Sequence, residues 1–146
     1  FFVSLGSDTD TTVTGLTVNI TPNFSNSIIL LTGQYTGEFS HPHNLVFTFF
    51  RDTTKLGQPT RGSRNVGIMT AFNSFDGGND DDSTPDSCFF QHHDTPNTTS
   101  QITYKISART GASSGTSLFV NRTLSDSDNN AHESGMSFIM AQEIKV

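Results

Sequence analysis

The segment that comes closest to a catalytic motif is the small-residue stretch at positions 111–115. Its sequence, GASSG, fits the G-x-S-x-G pattern, in which a strained turn exposes a serine nucleophile, here Ser113. That geometry needs a strand before the serine and a helix after it. Alternating apolar residues on both sides predict strands instead, so we interpret the stretch as a hairpin loop. We therefore assign no catalytic residue and expect the chain not to be an enzyme.

Two histidines, His41 and His43, flank a proline and have the chemistry to bind a metal ion. At positions i and i+2 their imidazoles would share one face of an extended segment. Three copies around a threefold axis would offer six nitrogens to zinc, iron or nickel. The alternative is a pair of surface histidines in a proline-containing loop, without zinc-finger spacing or cysteine ligands. We favour the surface loop and predict no cofactor, with His41 and His43 as the metal candidates.

The longest polar stretch, residues 73–87, is rich in carboxylate and amide side chains. Its oxygens suit Ca²⁺, but their spacing differs from that of an EF-hand loop and no glutamate closes it. We interpret the stretch as a solvated surface loop whose side chains can hydrogen-bond to sugar hydroxyls or polar protein surfaces. The binding candidates in this loop are Asp76, Asn79, Asp80, Asp81 and Asp82.

Half of the eight lysines and arginines lie between positions 51 and 64. One interpretation is a set of solvated charges on a turn, partly balanced by Asp52. The other is a contact with an anionic glycan or a neighbouring subunit, because guanidinium groups bind carboxylates in a bidentate manner. Beside Lys55, the binding candidates in this basic cluster are Arg51, Arg61 and Arg64.

Composition limits the classes of partner. The 146 residues suffice for one domain, 1–146, with its own core. A formal net charge of −6 disfavours broad nucleic-acid binding, and no apolar stretch is long enough to insert into a membrane. The lone Cys88 is expected to be a small buried hydrophobic residue. Because the sequence starts at Phe1 rather than Met, we expect the domain to belong to a longer or processed chain.

The elements that must position these residues are strands. Apolar residues, thirteen phenylalanines among them, recur with period two, and turn-forming clusters separate the runs. This pattern predicts an all-β fold, an antiparallel β-sandwich of jelly-roll type with about eight to ten short strands. The clearest predicted strands are residues 16–20, 28–35, 45–50, 87–92, 102–108, 118–120 and 137–144. The phenylalanine-rich strands at residues 45–50 and 137–140 carry more apolar surface than one sandwich core consumes, so we expect them to contact other copies of the chain.

Four segments, in order along the chain, resemble a jelly-roll domain common in structural proteins of cyanophages and other marine phages. VTGLTVNITP at 13–22 is similar to that family's "VTGLSVxITP" strand, and FRDTTKLG at 50–57 resembles its "LxRDGTxIG" hairpin. DTPNTTSQITYK at 94–105 resembles "DxPxTTSxxTYK". The tail, with VNRT at 120–123 and EI at 143–144, resembles "xxVNRS…STITxMEI".

The resemblance implies a jelly roll like those of tumour necrosis factor and the complement globular head. It implies a homotrimer on the exterior of a phage particle, at a fibre tip or as a capsid decoration. The implied partners are other virion proteins or a host cell-surface glycan or protein. The chain departs from the family pattern at residues 40–44 and 73–87, so we predict that recognition lies in these loops. Two alternatives stay open, a carbohydrate-active or esterase-like enzyme and a secreted lectin-like or complement-head-like binding domain.

Overall fold

A computed structural model describes residues 1–41, 44–71, 83–113 and 115–146. Within these ranges the chain forms strands, turns and irregular segments and no helix. These ranges therefore contain no helix that is long and apolar enough to cross a membrane. The described residues form ten strands: β1 (Phe2–Leu5), β2 (Thr11–Ile20), β3 (Ile28–Phe39), β4 (Leu45–Arg51), β5 (Thr54–Lys55), β6 (Met69–Ala71), β7 (Asp86–Asp94), β8 (Ile102–Thr110), β9 (Thr116–Val120) and β10 (Phe138–Ile144).

The strands form two antiparallel sheets that pack face to face, which confirms the predicted β-sandwich of jelly-roll type. In sheet 1, β3 is central. It pairs with β7 along one edge and with β10 and then β9 along the other, and β9 also pairs with β1. In sheet 2, β8 lies between β2 and β4, and β4 pairs on its far side with β5 and β6. The chain passes repeatedly from one sheet to the other, as in a jelly roll.

Aromatic rings fill the space between the sheets. Tyr35 of β3 lies 4.8 Å from Phe47 of β4 between ring centroids, and Phe90 of β7 lies 5.8 Å from Phe47 and 5.1 Å from Phe49. All four side chains are buried. Aromatic pairs at such distances add a fraction of a kcal/mol to about 1.5 kcal/mol each beyond the area that they bury. Part of the phenylalanine-rich composition therefore serves the core, whereas Phe1, Phe2, Phe24, Phe89 and Phe138 are exposed.

The strand at residues 45–50 is buried on both faces, as its sequence predicts, but inside the domain. Its outward face is covered by the connection between β5 and β6, where Thr48 Oγ1 donates a hydrogen bond to the Leu56 carbonyl oxygen at 3.0 Å. Ile68 N donates to the Phe47 carbonyl oxygen at 2.8 Å. The expectation that this strand offers apolar surface to another subunit is therefore wrong, because one loop of the same chain already covers it.

The stretch at 111–115 is not a hairpin loop. It connects β8 of sheet 2 to β9 of sheet 1, so it crosses between the sheets. Gly115 turns the chain with a φ of 76°, and its N–H donates to the Ala112 carbonyl oxygen at 2.9 Å. Ser113 is followed by strand β9, as the flanking pattern predicts, and a nucleophile elbow requires a helix at that place.

Candidate functional site

Several of the predicted binding residues lie outside the described part of the chain. These are His43, Asp76, Asn79, Asp80, Asp81 and Asp82. His41 is described and half-buried just after β3. Within the described ranges, no group of three or more His, Cys, Asp and Glu side chains is arranged to hold a metal ion. The predicted polar loop ends earlier than its composition suggests, because Asp86 and Ser87 already belong to β7.

The basic cluster divides into separate environments. Arg51, at the end of β4, reaches across to β7, where its Nη1 lies 3.0 and 3.1 Å from the two carboxylate oxygens of Asp94. The hydroxyl of Tyr104 donates to the same carboxylate at 2.7 Å. Burial and this hydrogen bond to Asp94 raise the pKa of Tyr104, so its phenol stays protonated and remains a donor. Arg51 therefore connects the two sheets.

A polar cleft of about 400 Å³ collects other members of the cluster. Lys55 and Arg64 line it together with Arg109 of β8, and Asp8 and Asp10 contribute carboxylates from the segment between β1 and β2. We call this site the polar cleft. Arg61 lines a smaller neighbouring depression beside Arg64. The structure thus places Lys55 and Arg64 in the polar cleft and Arg61 next to it. Arg51 lies elsewhere, in its ion pair with Asp94.

Ion pairs fix the inner wall of the polar cleft. Lys55 Nζ lies 2.8 and 3.0 Å from the carboxylate oxygens of Asp10. Arg109 Nε donates to Asn65 Oδ1 at 2.9 Å, which orients its guanidinium plane. The terminal nitrogens of Arg109 lie farther from carboxylates, at 3.4 Å from Asp8 and 3.7 Å from Asp10. These two contacts exceed the usual length of a charge-assisted hydrogen bond, so the guanidinium can accept an additional anionic partner.

A second surface is the outward face of sheet 1. On β3, β7 and β10, the cross-strand register aligns Phe138 with Gln34 and Phe89, and Met140 with Thr32 and Gln91. Partners in register point to the same side of a sheet. Glu38, at the far end of β3, is the one charged outward residue on these strands; it is buried, and its carboxylate accepts a hydrogen bond from Leu124 N. The other outward residues are uncharged: Ile28, Leu30, Thr32, Gln34, Thr36, Ser87, Phe89, Gln91, His93, Phe138, Met140, Gln142 and Ile144. We call this set the uncharged face.

Large apolar side chains on the uncharged face are exposed to solvent. Phe89 is 54% exposed, Met140 46% and Ile144 43%. By contrast, no large exposed hydrophobic side chain belongs to a described strand of sheet 2. Exposed apolar side chains concentrated on one side of a domain mark an interaction surface.

Cys88 lies between the sheets, next to a small cavity of about 100 Å³ lined also by Tyr35 and Met69. Burial raises the pKa of the Cys88 thiol to about 12, so the group is a protonated thiol at neutral pH. A thiol in this state is a poor nucleophile and a poor metal ligand. The prediction of a small buried hydrophobic residue is confirmed in part, because Cys88 faces the space between the sheets but is half-buried.

Sequence reasoning did not find three charged members of the polar cleft, Asp8, Asp10 and Arg109. About a hundred residues separate the two aspartates from Arg109. The pairing of β2 with β8 and the hydrogen bond from Asp8 N to the Thr110 carbonyl oxygen bring them together. The Asp-x-Asp spacing at positions 8 and 10 was the one local signal available. No protein-family model matches the chain, and no curated protein matches it either.

Proposed function

We propose that the chain is an assembly and adhesion module of a phage particle that forms a homotrimer through the uncharged face of sheet 1. The observation that carries this proposal is the uncharged face itself. Copies of a chain with a net charge of −6 repel one another, and a contact surface without exposed charges adds no like-charge pairs to that repulsion. Aromatic and methionine side chains are enriched in protein interfaces, and charged residues are depleted at their centres.

Glutamines give the uncharged face polar contacts for a symmetric assembly. Gln34, Gln91 and Gln142 each carry an amide that donates and accepts hydrogen bonds, so identical copies can satisfy one another. Gln91 Nε2 donates to Thr32 Oγ1 at 3.0 Å, and Gln34 Nε2 donates to the Met136 carbonyl oxygen at 3.0 Å. These contacts hold two of the amides in place before association, which lowers the entropy cost of binding.

The trimeric state and the virion location are supported by the four-segment resemblance to phage jelly-roll domains, together with the sandwich topology. The module would lie on the exterior of the particle, at a fibre tip or on the capsid. Its partners would be other virion proteins or a host-surface glycan or protein.

Charge placed on the uncharged face tests the proposal. In Phe89→Glu and Met140→Glu, each copy would bring a carboxylate into the interface, and we expect sedimentation velocity to show monomers where the unaltered chain forms trimers. The matched control is Thr17→Glu, which adds the same charge at an exposed position of β2 in sheet 2. The control should stay trimeric. Trimers that survive in both face variants would refute this interface.

A further inference from the structure

We propose that the polar cleft binds a carboxylate-bearing sugar, the hexuronate unit of an acidic glycan. The inference deepens the adhesion part of the proposed function and rests on it. The cleft combines cations, carboxylates and hydroxyl groups around one open space of a size that holds small ligands.

Arg64 is the cation available to a ligand. Among the described residues, its guanidinium makes one hydrogen-bond contact, a 3.5 Å approach of Nη1 to the Arg61 carbonyl oxygen, and no ion pair. A planar guanidinium binds a carboxylate through two parallel N–H···O hydrogen bonds. Arg109, oriented by Asn65, presents its terminal nitrogens to the same space. The two arginines can therefore bind one carboxylate from two sides.

The charge balance of the polar cleft favours a singly charged ligand. Three cations, Lys55, Arg64 and Arg109, face the carboxylates of Asp8 and Asp10, which leaves one positive charge. One hexuronate carboxylate neutralises that charge. A phosphate monoester, with close to two negative charges at neutral pH, would leave an excess of negative charge beside the two aspartates.

Hydroxyl groups and carboxylates on the rim suit the rest of the sugar. Thr60 and Ser63 line the cleft with hydroxyls, and the Asp8 side chain is 65% exposed and able to accept hydrogen bonds from sugar hydroxyls. Val66 is the one apolar side chain among the described lining residues. Binding would therefore depend on charge and hydrogen bonds, and its affinity should fall as salt is added.

The polar cleft and the uncharged face lie on opposite sides of the sandwich. Arg109 is in register with Val46 and Lys55 with Phe50, and the inward residues Phe47 and Phe49 alternate with these two along β4. The arginine and the lysine thus project from the outer side of sheet 2. Assembly through sheet 1 would leave three clefts open, and three weak sites on one trimer bind a repeating polysaccharide with much greater avidity than one.

Calorimetric titration with digalacturonate tests the inference. We expect saturable binding to the unaltered chain, and binding about ten- to a hundred-fold weaker in Arg64→Ala, as expected for loss of a charge-assisted pair. Arg64→Lys keeps the charge without the bidentate fork and should lose affinity to an intermediate extent. The matched control, Lys145→Ala, removes an equal charge from the exposed chain end beside Phe24 and should bind normally.

Two further sugars decide which part of the ligand is recognised. The neutral disaccharide of galactose should bind at least ten-fold more weakly than digalacturonate. Equal binding of galactose 6-sulfate would overturn the choice of a carboxylate, and the absence of digalacturonate binding would overturn the inference altogether. Sedimentation of the same samples measures the oligomeric state independently of sugar binding. Trimers that do not bind the sugar would contradict the assignment of the cleft and leave the proposed trimer intact.

Discussion

Glu143 shows how one side chain fixes a loop to the sheet. Its carboxylate accepts hydrogen bonds from Ser27 Oγ at 2.7 Å, from the Asn23 backbone and side-chain nitrogens at 2.8 and 2.6 Å, and from the Phe24 N–H at 3.1 Å. These donors, Ser27 first among them, lower the pKa of Glu143 from an ordinary value near 4.5 to about 2. The carboxylate thereby holds the turn between β2 and β3 against β10.

Because the pKa of Glu143 is lower in the folded chain than in the unfolded chain, its contribution to stability is present above pH 4.5 and lost as the pH falls toward 2. We expect Glu143→Gln to unfold at lower urea concentration than the unaltered chain at pH 6. The difference between the two midpoints should shrink when the titrations are repeated at pH 4 and pH 3. A difference that stays constant with pH would contradict the role given to the ionised carboxylate.

Arg51 was a candidate binding residue, and its ion pair with Asp94 indicates a structural role. The side chain of Asp94 is only 10% exposed, so removing Arg51 would leave a poorly solvated carboxylate with Tyr104 as its remaining side-chain donor. We expect Arg51→Ala to lower the free energy of unfolding by about 1–3 kcal/mol in chemical denaturation. Digalacturonate binding by the folded variant should be unchanged. Unaltered stability together with loss of digalacturonate binding would show that Arg51 contributes to recognition and not to stability.

At the scale of single residues, the sequence identified chemical types better than contacts. It marked Lys55 and Arg64 as members of a basic cluster, and the structure places both in the polar cleft. It could not separate Arg51 from them, because Asp94 lies 43 positions away in sequence. Contacts of this kind depend on which strands become neighbours, and local composition carries no information about that.

Among the elements, β3 is the central strand of sheet 1, because the strands on both of its sides pair with it. Gly33 occupies an inward position where a Cβ would lie 2.9 Å from Ile106 Cδ1 and 3.1 Å from Phe49 Cζ and from Phe90 Cε2. The absence of a side chain lets the rings from both sheets fill the space. The close packing follows from that one glycine, although glycine in a strand is otherwise unfavourable.

We therefore expect Gly33→Ala to destabilise the fold by about 1–3 kcal/mol, because an added methyl group overpacks the core. The control is Gly6→Ala, where the nearest heavy atom to the new Cβ would lie 3.9 Å away and the backbone is free of a positive φ. Thermal unfolding of both variants measures the contrast. Equal melting temperatures for the two variants would contradict the prediction, because they would show that the core accommodates the added methyl group at Gly33 without loss of stability.

Seven of the strands were predictable because alternation is strong in them. Three were missed. Strands β1 and β6 are short, with four and three residues, too few for a period of two to stand out. Strand β5, of two residues, falls inside a predicted turn cluster. Gly15 illustrates another limit. It lies within β2 at a register shift between Thr12 and Thr17, and its φ is 83°. A bulge of this kind interrupts the strand pairing but leaves no signal in the local amino-acid composition.

At the scale of the whole molecule, the sandwich has two unlike sides. One side carries exposed apolar groups and amides, and the other carries an ionic cleft. The sequence predicted the apolar excess behind assembly but attributed part of it to residues 45–50, which the chain covers itself. Residues 137–140, the other strand named for assembly, do contribute exposed Phe138 and Met140 to the uncharged face.

The mass of the unaltered chain in solution tests the central claim most directly. Size-exclusion chromatography with multi-angle light scattering, run at micromolar concentration and physiological salt, should give three times the 15.9 kDa of the chain. The trimer should persist when salt is raised, because an uncharged interface has few ion pairs to screen. A single species with the mass of one chain, across the whole concentration range, would contradict the account.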